Sequence, residues 1–165
     1  MRNIRYIIGP CTLGSVLLAG SDGGVCAILL GDDSETLTGE LHDRFPTATL
    51  SHGPELEGLL SKVVGFIEAP ETSLDLPLDL GGTPFQRRVW QALRRIPCGT
   101  TASYREIAAR IGSPHSLRAV ARACAANSLA VAIPCHRVVR SNGDLSGYRW
   151  GVERKRTLLQ REAQV

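Results

Sequence analysis

Residues 103–114 read SYREIAARIGSP, and this stretch decides the fold predicted for the second half of the chain. Ser103 followed three residues later by Glu106 forms a capping box, which predicts the start of a helix. The apolar residues that follow predict a short helix ending at Gly112, and Ser113 then predicts the cap of another helix. We therefore expect two short helices joined by a tight turn.

The second of these helices carries arginines away from its apolar side. Leu117, Val120 and Cys124 share one side of the predicted helix, and Arg118 and Arg122 share another. Two short helices with a glycine-containing turn, the second bearing arginines, are typical of a helix-turn-helix that binds DNA. An ordinary helical hairpin fits the spacing equally well, so the decision depends on charge.

Charge is divided unevenly along the 165 residues. Residues 1–80 carry 4 Lys and Arg against 12 Asp and Glu, a net charge of −8, whereas residues 81–165 carry 15 against 4, a net charge of +11. Nearly all the basic residues are arginine, which suits contacts with phosphates and bases. This asymmetry favours a polyanion such as DNA as the partner of the second half over a solvated basic face.

Gly81-Gly82 marks the boundary upstream of this half, and a capping box at Thr83 predicts a further helix there. In the first half we predict an antiparallel meander of three short strands, Ile4–Ile8, Ser15–Ala19 and Val25–Leu30, with turns at Gly9-Pro10 and at residues 21–24. Two helices are predicted next, over Glu35–Phe45 and residues 56–67, and then an extended segment over residues 74–80 in which every second residue is leucine. We predict an α/β N-terminal domain over residues 1–80, with a short antiparallel sheet and helices. A mostly α-helical C-terminal domain with the helix-turn-helix is predicted over residues 81–165.

Residues 133–139 read IPCHRVV and place a cysteine beside a histidine. A thiolate is a strong nucleophile, and an adjacent imidazole is a common way to form one near neutral pH. The pair is weak evidence by itself, because a cysteine in an apolar run is usually buried and inert. Cys135 is the candidate nucleophile, with His136 as its base.

Glu162 in the last predicted helix shares the buried face of Leu158 and Leu159. A buried carboxylate needs a partner. His136 and a nearby arginine are equally good candidates at this point.

Composition limits the other classes of function. The five cysteines include no C-x-x-C pair, so we expect free thiols, no disulfide framework, no metal site and no cofactor. No apolar run is long enough to cross a bilayer and the first residues lack the apolar core of a signal peptide, so we expect a cytoplasmic protein.

The motif at residues 134–138 resembles the active-site motif of the O6-alkylguanine-DNA alkyltransferases, also called methylated-DNA–protein-cysteine methyltransferases. Further segments resemble the C-terminal domain of the bacterial adaptive-response regulators: residues 24–33, 96–99, 123–127 and 145–151. The resemblance covers essentially the whole chain.

The resemblance implies single-use DNA repair by direct reversal. Cys135 would take the alkyl group from O6-alkylguanine, and also from O4-alkylthymine, and keep it as a thioether. His136 would act as base through a water, lowering the effective pKa of the thiol, and Glu162 would orient His136. Tyr104 would hydrogen-bond the base and supply a proton to it. The partner would be double-stranded DNA bound through its minor groove by a monomer, with the lesion flipped out of the stack.

Further roles carry over from the same resemblance. Arg118 would fill the space left by the flipped base. Asn127 would brace the turn below the active site. The implied DNA-binding and substrate-pocket residues are Arg118, Asn127, Arg122, Ser103 and Ala119 for DNA, and Val138, Tyr148, Arg149 and Trp150 for the pocket, with backbone groups of Cys135, Val138 and Arg149 reading the base edge.

Two positions depart from relatives: Ala130 replaces a proline of the pocket wall, and Trp150 replaces a glycine and is expected to narrow the pocket mouth. The regulators also carry a metal-binding half and a transcriptional module that do not fit in 165 residues. The chain is therefore either a stand-alone enzyme or one domain of a longer protein.

Three alternatives stay open. A sensor would bind alkylated bases without repairing them, but sensors replace the cysteine. A helix-turn-helix regulator would prefer one DNA sequence. A Cys-His hydrolase would need an oxyanion hole, and the sequence marks none.

Overall fold

The structure is a computed structural model that describes residues 2–70 and 74–165. The chain forms two compact units. The first is Met1–Leu80 with Ser128–Ala130, and the second is Gly81–Asn127 with Val131–Val165. The segment Ser128–Ala130, expected in the C-terminal domain, thus belongs to the first unit.

A four-stranded mixed sheet forms the centre of the first unit. Its strands are β1 (Asn3–Cys11), β2 (Gly14–Ser21), β3 (Gly24–Gly31) and β4 (Thr49–His52), in the order β3-β2-β1-β4. β1, β2 and β3 make the predicted antiparallel meander. β4 was not predicted; it pairs parallel to β1, so the sheet is mixed rather than antiparallel. Its four residues contain a single large apolar side chain, Leu50, which leaves no alternating pattern to detect.

The first predicted turn is wrong. Gly9 and Pro10 lie within β1, opposite Val16 and Ser15, and the chain reverses at residues 12–13 instead. Proline is tolerated in a strand where one side of the strand lacks a neighbour. Pairing of β1 with β4 ends at Tyr6, which leaves that side of β1 open at Pro10.

Two helices pack against this sheet, α1 (Ser34–Arg44) and α2 (Glu57–Glu68). The Asp33 side chain caps α1 by accepting a hydrogen bond from the Thr36 N–H at 2.7 Å. Two segments cover the outer edge of β3: Val25 bonds to residues 77 and 79, and Ile28 bonds to residues 128 and 130. Covering the edge satisfies backbone groups that would otherwise be open to pairing with another chain.

The second unit contains four helices among its described residues: α3 (Pro84–Leu93), α4 (Tyr104–Arg110), α5 (Leu117–Ala125) and α6 (Val152–Ala163). Both predicted capping boxes are present, at Thr83 before α3 and at Ser103 before α4. Two short strands pair in parallel, β5 (Ala102–Ser103) and β6 (Val138–Val139). They connect the start of α4 to the segment that follows Cys135.

The start predicted for α5 is wrong. Residues 112–116 form the turn after α4, and α5 begins at Leu117 rather than directly after Ser113. Leu117 was expected on the buried side, but 38% of it is exposed, whereas Val120 and Cys124 are buried as expected. No helix in the described ranges combines the length and apolar character that crossing a membrane requires.

Candidate active site

Cys135 begins a single 3₁₀ turn, Cys135–Arg137, directly after Pro134. The residue is 6% exposed and lines a pocket of about 370 Å³. The remaining lining residues come from α4, α5 and the loop before α6: Tyr104, Ala121, Cys124, Ala125, Ser146, Gly147, Tyr148 and Arg149. The volume falls in the range of small-molecule sites.

Asn127 fixes the position of Cys135 through hydrogen bonds. Its amide Nδ2 donates to the carbonyl oxygen of Ile133 at 3.0 Å and to Sγ of Cys135 at 3.2 Å. The side chain is buried, with 1% of the residue exposed. Asn127 is therefore placed to brace the turn, and its amide is not open to DNA.

Burial raises the pKa of the Cys135 thiol. The hydrogen bond from Asn127 and the positive charges of Lys155 and Arg149 oppose this effect but do not cancel it. The sequence-based expectation of a lowered pKa is therefore wrong for the free protein. The thiol holds its proton at neutral pH, and its reaction requires that proton to be removed.

Glu162 contacts both kinds of partner that the sequence left open, the histidine and a nearby arginine. Oε2 of Glu162 lies 2.8 Å from Nε2 of His136. Arg137 donates from Nε to Oε1 and from Nη2 to Oε2, each at 2.9 Å. All three side chains are buried, and Arg137 also donates to the carbonyl oxygen of Ile96 at 2.7 Å.

These contacts fix the charges of the cluster. Burial alone would raise the pKa of Glu162, but the hydrogen bonds from His136 and Arg137 outweigh it and lower the pKa to about 2. Burial lowers the pKa of His136. The carboxylate is therefore charged and the imidazole neutral at physiological pH. Nδ1 of His136 is buried and has no hydrogen-bond partner in the described part of the protein.

Tyr104, the predicted proton donor, lies at the start of α4 and lines the pocket. Its hydroxyl is 3.5 Å from Oγ of Ser146, and burial raises its pKa. Ser146 was not predicted as a site residue. It has a φ of 67°, in the left-handed region that non-glycine residues seldom occupy. Such backbone strain clusters at functional sites, but the sequence gives no sign of it.

Lys155 was also missed. Its exposure is 0%, and Nζ donates to the carbonyl oxygens of Val138 at 2.7 Å, of Gly147 at 3.2 Å and of Leu145. Its charge lowers the pKa of Cys135. The sequence did contain a signal for the burial of Lys155, because this residue lies three positions before Leu158 and seven before Glu162, on the same helical face.

The predicted DNA-binding residues occupy two environments. Arg118 and Arg122 are exposed on α5, and Ala119 between them is half-buried. Ser103 is 7% exposed and its hydroxyl accepts the Glu106 N–H at 3.0 Å. The side chains of Ser103 and Asn127 are thus occupied by hydrogen bonds within the protein. The predicted DNA-binding residues that remain accessible are those on α5.

Two of the four predicted pocket residues do not line the pocket. Tyr148 and Arg149 do, whereas Val138 is buried and its carbonyl oxygen is taken by Lys155. Trp150 is 4% exposed and packs edge-on against the Tyr148 ring, with centroids 5.3 Å apart. The indole therefore supports the wall from behind rather than narrowing the mouth. Ala130, expected in the wall, is buried in the first unit.

We also searched for side chains that could coordinate a metal ion. Among residues 2–70 and 74–165, no group of three or more His, Cys, Asp and Glu side chains is arranged to hold an ion. None of the five cysteines, all of which lie in the described ranges, forms a disulfide. Burial raises the pKa of Cys124, the second thiol of the pocket, to about 12.

The fold places the buried Cys135 in a pocket and pairs the next residue, His136, with Glu162. Residues 84–164 match the family described as 6-O-methylguanine DNA methyltransferase, DNA binding domain. The chain is 36% identical over 156 residues to a methylated-DNA–protein-cysteine methyltransferase of Mycolicibacterium paratuberculosis, covering 94% of this chain and 90% of that one. The chain belongs to this methyltransferase family, as its motifs indicated.

Two other similarities extend the comparison. The bifunctional transcriptional activator/DNA repair enzyme Ada of Escherichia coli is 54% identical over 162 residues, which are 98% of this chain. The match covers 46% of Ada, so the chain spans about half the length of that relative. The crystal structure of Mycobacterium tuberculosis OGT in complex with DNA aligns with a TM-score of 0.78 at 38% identity, over 98% of this chain and 93% of that chain.

Proposed function

We propose that this chain repairs alkylated DNA by moving the alkyl group of O6-alkylguanine irreversibly to Sγ of Cys135. The observation that carries the proposal is the position of that sulfur. Cys135 lines a pocket of about 370 Å³ and is held there by the Asn127 amide at 3.2 Å. A flipped base can enter such a pocket and meet the nucleophile, whereas a base within the duplex cannot.

The transfer forms one bond and breaks another. Sγ attacks the alkyl carbon, an S–C bond forms, and the C–O6 bond breaks with its electron pair going to guanine. The thiol proton passes through a water to Nδ1 of His136, the buried nitrogen that has no protein partner among the described residues. The Tyr104 hydroxyl supplies a proton to the departing base. The thioether has no easy route back, so each chain acts once.

Glu162 and Arg137 prepare His136 for this role. Because the carboxylate is ionised, Nε2 of His136 must donate the hydrogen bond at 2.8 Å, and Nδ1 is then the basic nitrogen of the neutral ring. Arg137 balances the charge of Glu162. We infer that the relay operates during transfer, when the proton leaves a thiol that burial otherwise keeps protonated.

DNA binding is assigned to α4 and α5 as a helix-turn-helix. The exposed Arg118 and Arg122 on α5 support this assignment, with Arg118 at the start of the helix filling the vacated stack. Contact through the minor groove suits a repair protein, because readout there depends on shape and phosphates more than on sequence. We extend the proposal to O4-alkylthymine as a second substrate and to a monomer acting in the cytoplasm.

A stoichiometry measurement tests the function. Increasing amounts of protein are incubated with duplex carrying O6-methylguanine, and repaired guanine is counted after digestion. We expect one base repaired per chain and no further turnover, and no repair by Cys135→Ser. Repair that continues beyond one base per chain would contradict the single-use mechanism.

A further inference from the structure

Four arginines surround a second concave surface of the second unit, outside the pocket of Cys135. Arg87 and Arg88 extend from α3, Arg95 lies just after α3, and Arg110 ends α4. Together with Gln91 they line a groove of about 740 Å³, which we call the arginine groove. Neither the transfer reaction nor α5 uses it.

The positive charge of the arginine groove is poorly balanced. No acidic residue lines it. Arg110 pairs with the exposed Glu106 at 3.6 Å, and such surface pairs contribute little. Within the described ranges, Arg87, Arg88 and Arg95 have no carboxylate partner. Three neighbouring guanidinium groups without counter-charges are a surface that favours an anion.

Two of these side chains are already held in place by neutral acceptors. Arg88 donates through Nη2 to the carbonyl oxygen of Ile111, the residue that caps the end of α4. Arg87 donates through Nη1 to the carbonyl oxygens of Gly81 at 3.2 Å and Gly82. Carbonyl oxygens fix the orientation of a guanidinium without removing its charge. The remaining N–H groups form a fork suited to phosphate oxygens.

The groove lies near the start of α5. Ile111 is at its edge, and residues 112–116 lead from there to Leu117. Even a fully extended turn of this length spans only about 20 Å, roughly six base pairs of a duplex at about 3.4 Å each. We propose that the arginine groove binds backbone phosphates of the DNA that α5 contacts, to one side of the lesion. This inference rests on the proposed function, because it requires α5 to lie on DNA.

Adjacent arginines provide a matched test. Arg94 and Arg95 are both exposed at the end of α3, and only Arg95 lines the groove. The dissociation constant for an undamaged 16-base-pair duplex is measured against salt for the wild-type chain, Arg95→Gln and Arg94→Gln. For Arg95→Gln we expect the slope of log affinity on log salt to fall by about 0.9 and affinity in 0.1 M salt to drop roughly fivefold to tenfold. Arg94→Gln should stay within about twofold of wild type.

Other outcomes would overturn the assignment. Equal effects of the two substitutions would mean that the groove contributes only general positive charge. Millimolar inorganic phosphate that binds wild type but not Arg95→Gln, with an unchanged DNA slope, would assign the groove to free phosphate. Self-association lost in Arg95→Gln, again with an unchanged slope, would assign it to an acidic protein surface.

The test is independent of repair. It uses undamaged duplex, so no alkyl transfer occurs in any arm. Failure of wild type to repair O6-methylguanine would remove the proposed function, and the comparison of Arg95→Gln with Arg94→Gln would still decide whether the groove holds DNA phosphates.

Discussion

Oε2 of Glu162 lies 2.8 Å from Nε2 of His136, and the same carboxylate accepts two hydrogen bonds from Arg137. One buried acid thus orients the imidazole and balances the guanidinium. The arrangement gives a neutral histidine whose Nδ1 can accept a proton, held next to the cysteine in sequence. In the proposed mechanism, Glu162 therefore links the stability of the second unit to the reaction of Cys135.

Replacing Glu162 tests how much the buried cluster contributes to stability. Glu162→Gln leaves Arg137 buried without its counter-charge, so we expect the free energy of unfolding to fall by about 3 to 5 kcal/mol. Urea denaturation measures the change. Glu153→Gln is the matched control on the same helix, because Glu153 is exposed and pairs with Arg156 on the surface; the stability of this variant should be nearly unchanged. Equal losses in the two variants would show that the buried cluster carries no special energy.

The charge of Lys155 beside Cys135 leads to a prediction of how the transfer rate depends on pH. Burial raises the pKa of Cys135 and the charge of Lys155 lowers it, so the single-turnover rate should rise with pH above neutrality. Lys155→Met raises the thiol pKa further and moves the profile to higher pH. Each unit of that rise lowers the thiolate fraction about tenfold at pH 7. Lys62→Met, at the other lysine of the chain, should keep the wild-type profile.

A Lys155→Met profile that overlies wild type, in protein that remains folded by circular dichroism, would remove Lys155 from the control of the thiol. Its role would then be limited to holding the three carbonyl groups it contacts.

The sequence predicted elements whose signals are local. The capping boxes at Thr83 and Ser103 depend on residues three apart, and both appear as expected. The burial of Glu162 followed from helical periodicity. β5 and β6 were missed because two-residue strands have no period, and they form only when distant segments meet. The two partners of Glu162 likewise depend on tertiary contacts. The sequence could name histidine and arginine as candidates, but it could not show that both contact Glu162.

Replacing Arg118 tests whether base flipping can be separated from the transfer step. Arg118→Ala should slow methyl transfer from a damaged duplex by tenfold or more, roughly the effect of losing one charged contact of about 1.5 to 3 kcal/mol. Reaction with free O6-benzylguanine should be nearly unchanged, because Arg118 does not line the pocket. Equal slowing on both substrates would contradict the role of Arg118 in flipping.

Ser146 stores backbone strain beside the pocket. Its φ of 67° favours glycine, so Ser146→Gly should raise the free energy of unfolding by about 1 kcal/mol. The exposed turn residue Ser141 has no positive φ, and Ser141→Gly should not stabilise the protein. Thermal unfolding of the two variants makes the comparison. Destabilisation by Ser146→Gly would mean that the contact with Tyr104 outweighs the strain.

The most direct test of the account is intact-protein mass spectrometry after incubation with duplex that contains a single O6-methylguanine, followed by peptide mapping. The account predicts one methyl group per chain, located on Cys135 and absent from Cys135→Ser. Tight binding to the damaged duplex with no gain in mass would contradict it and would identify a sensor of alkylated bases instead.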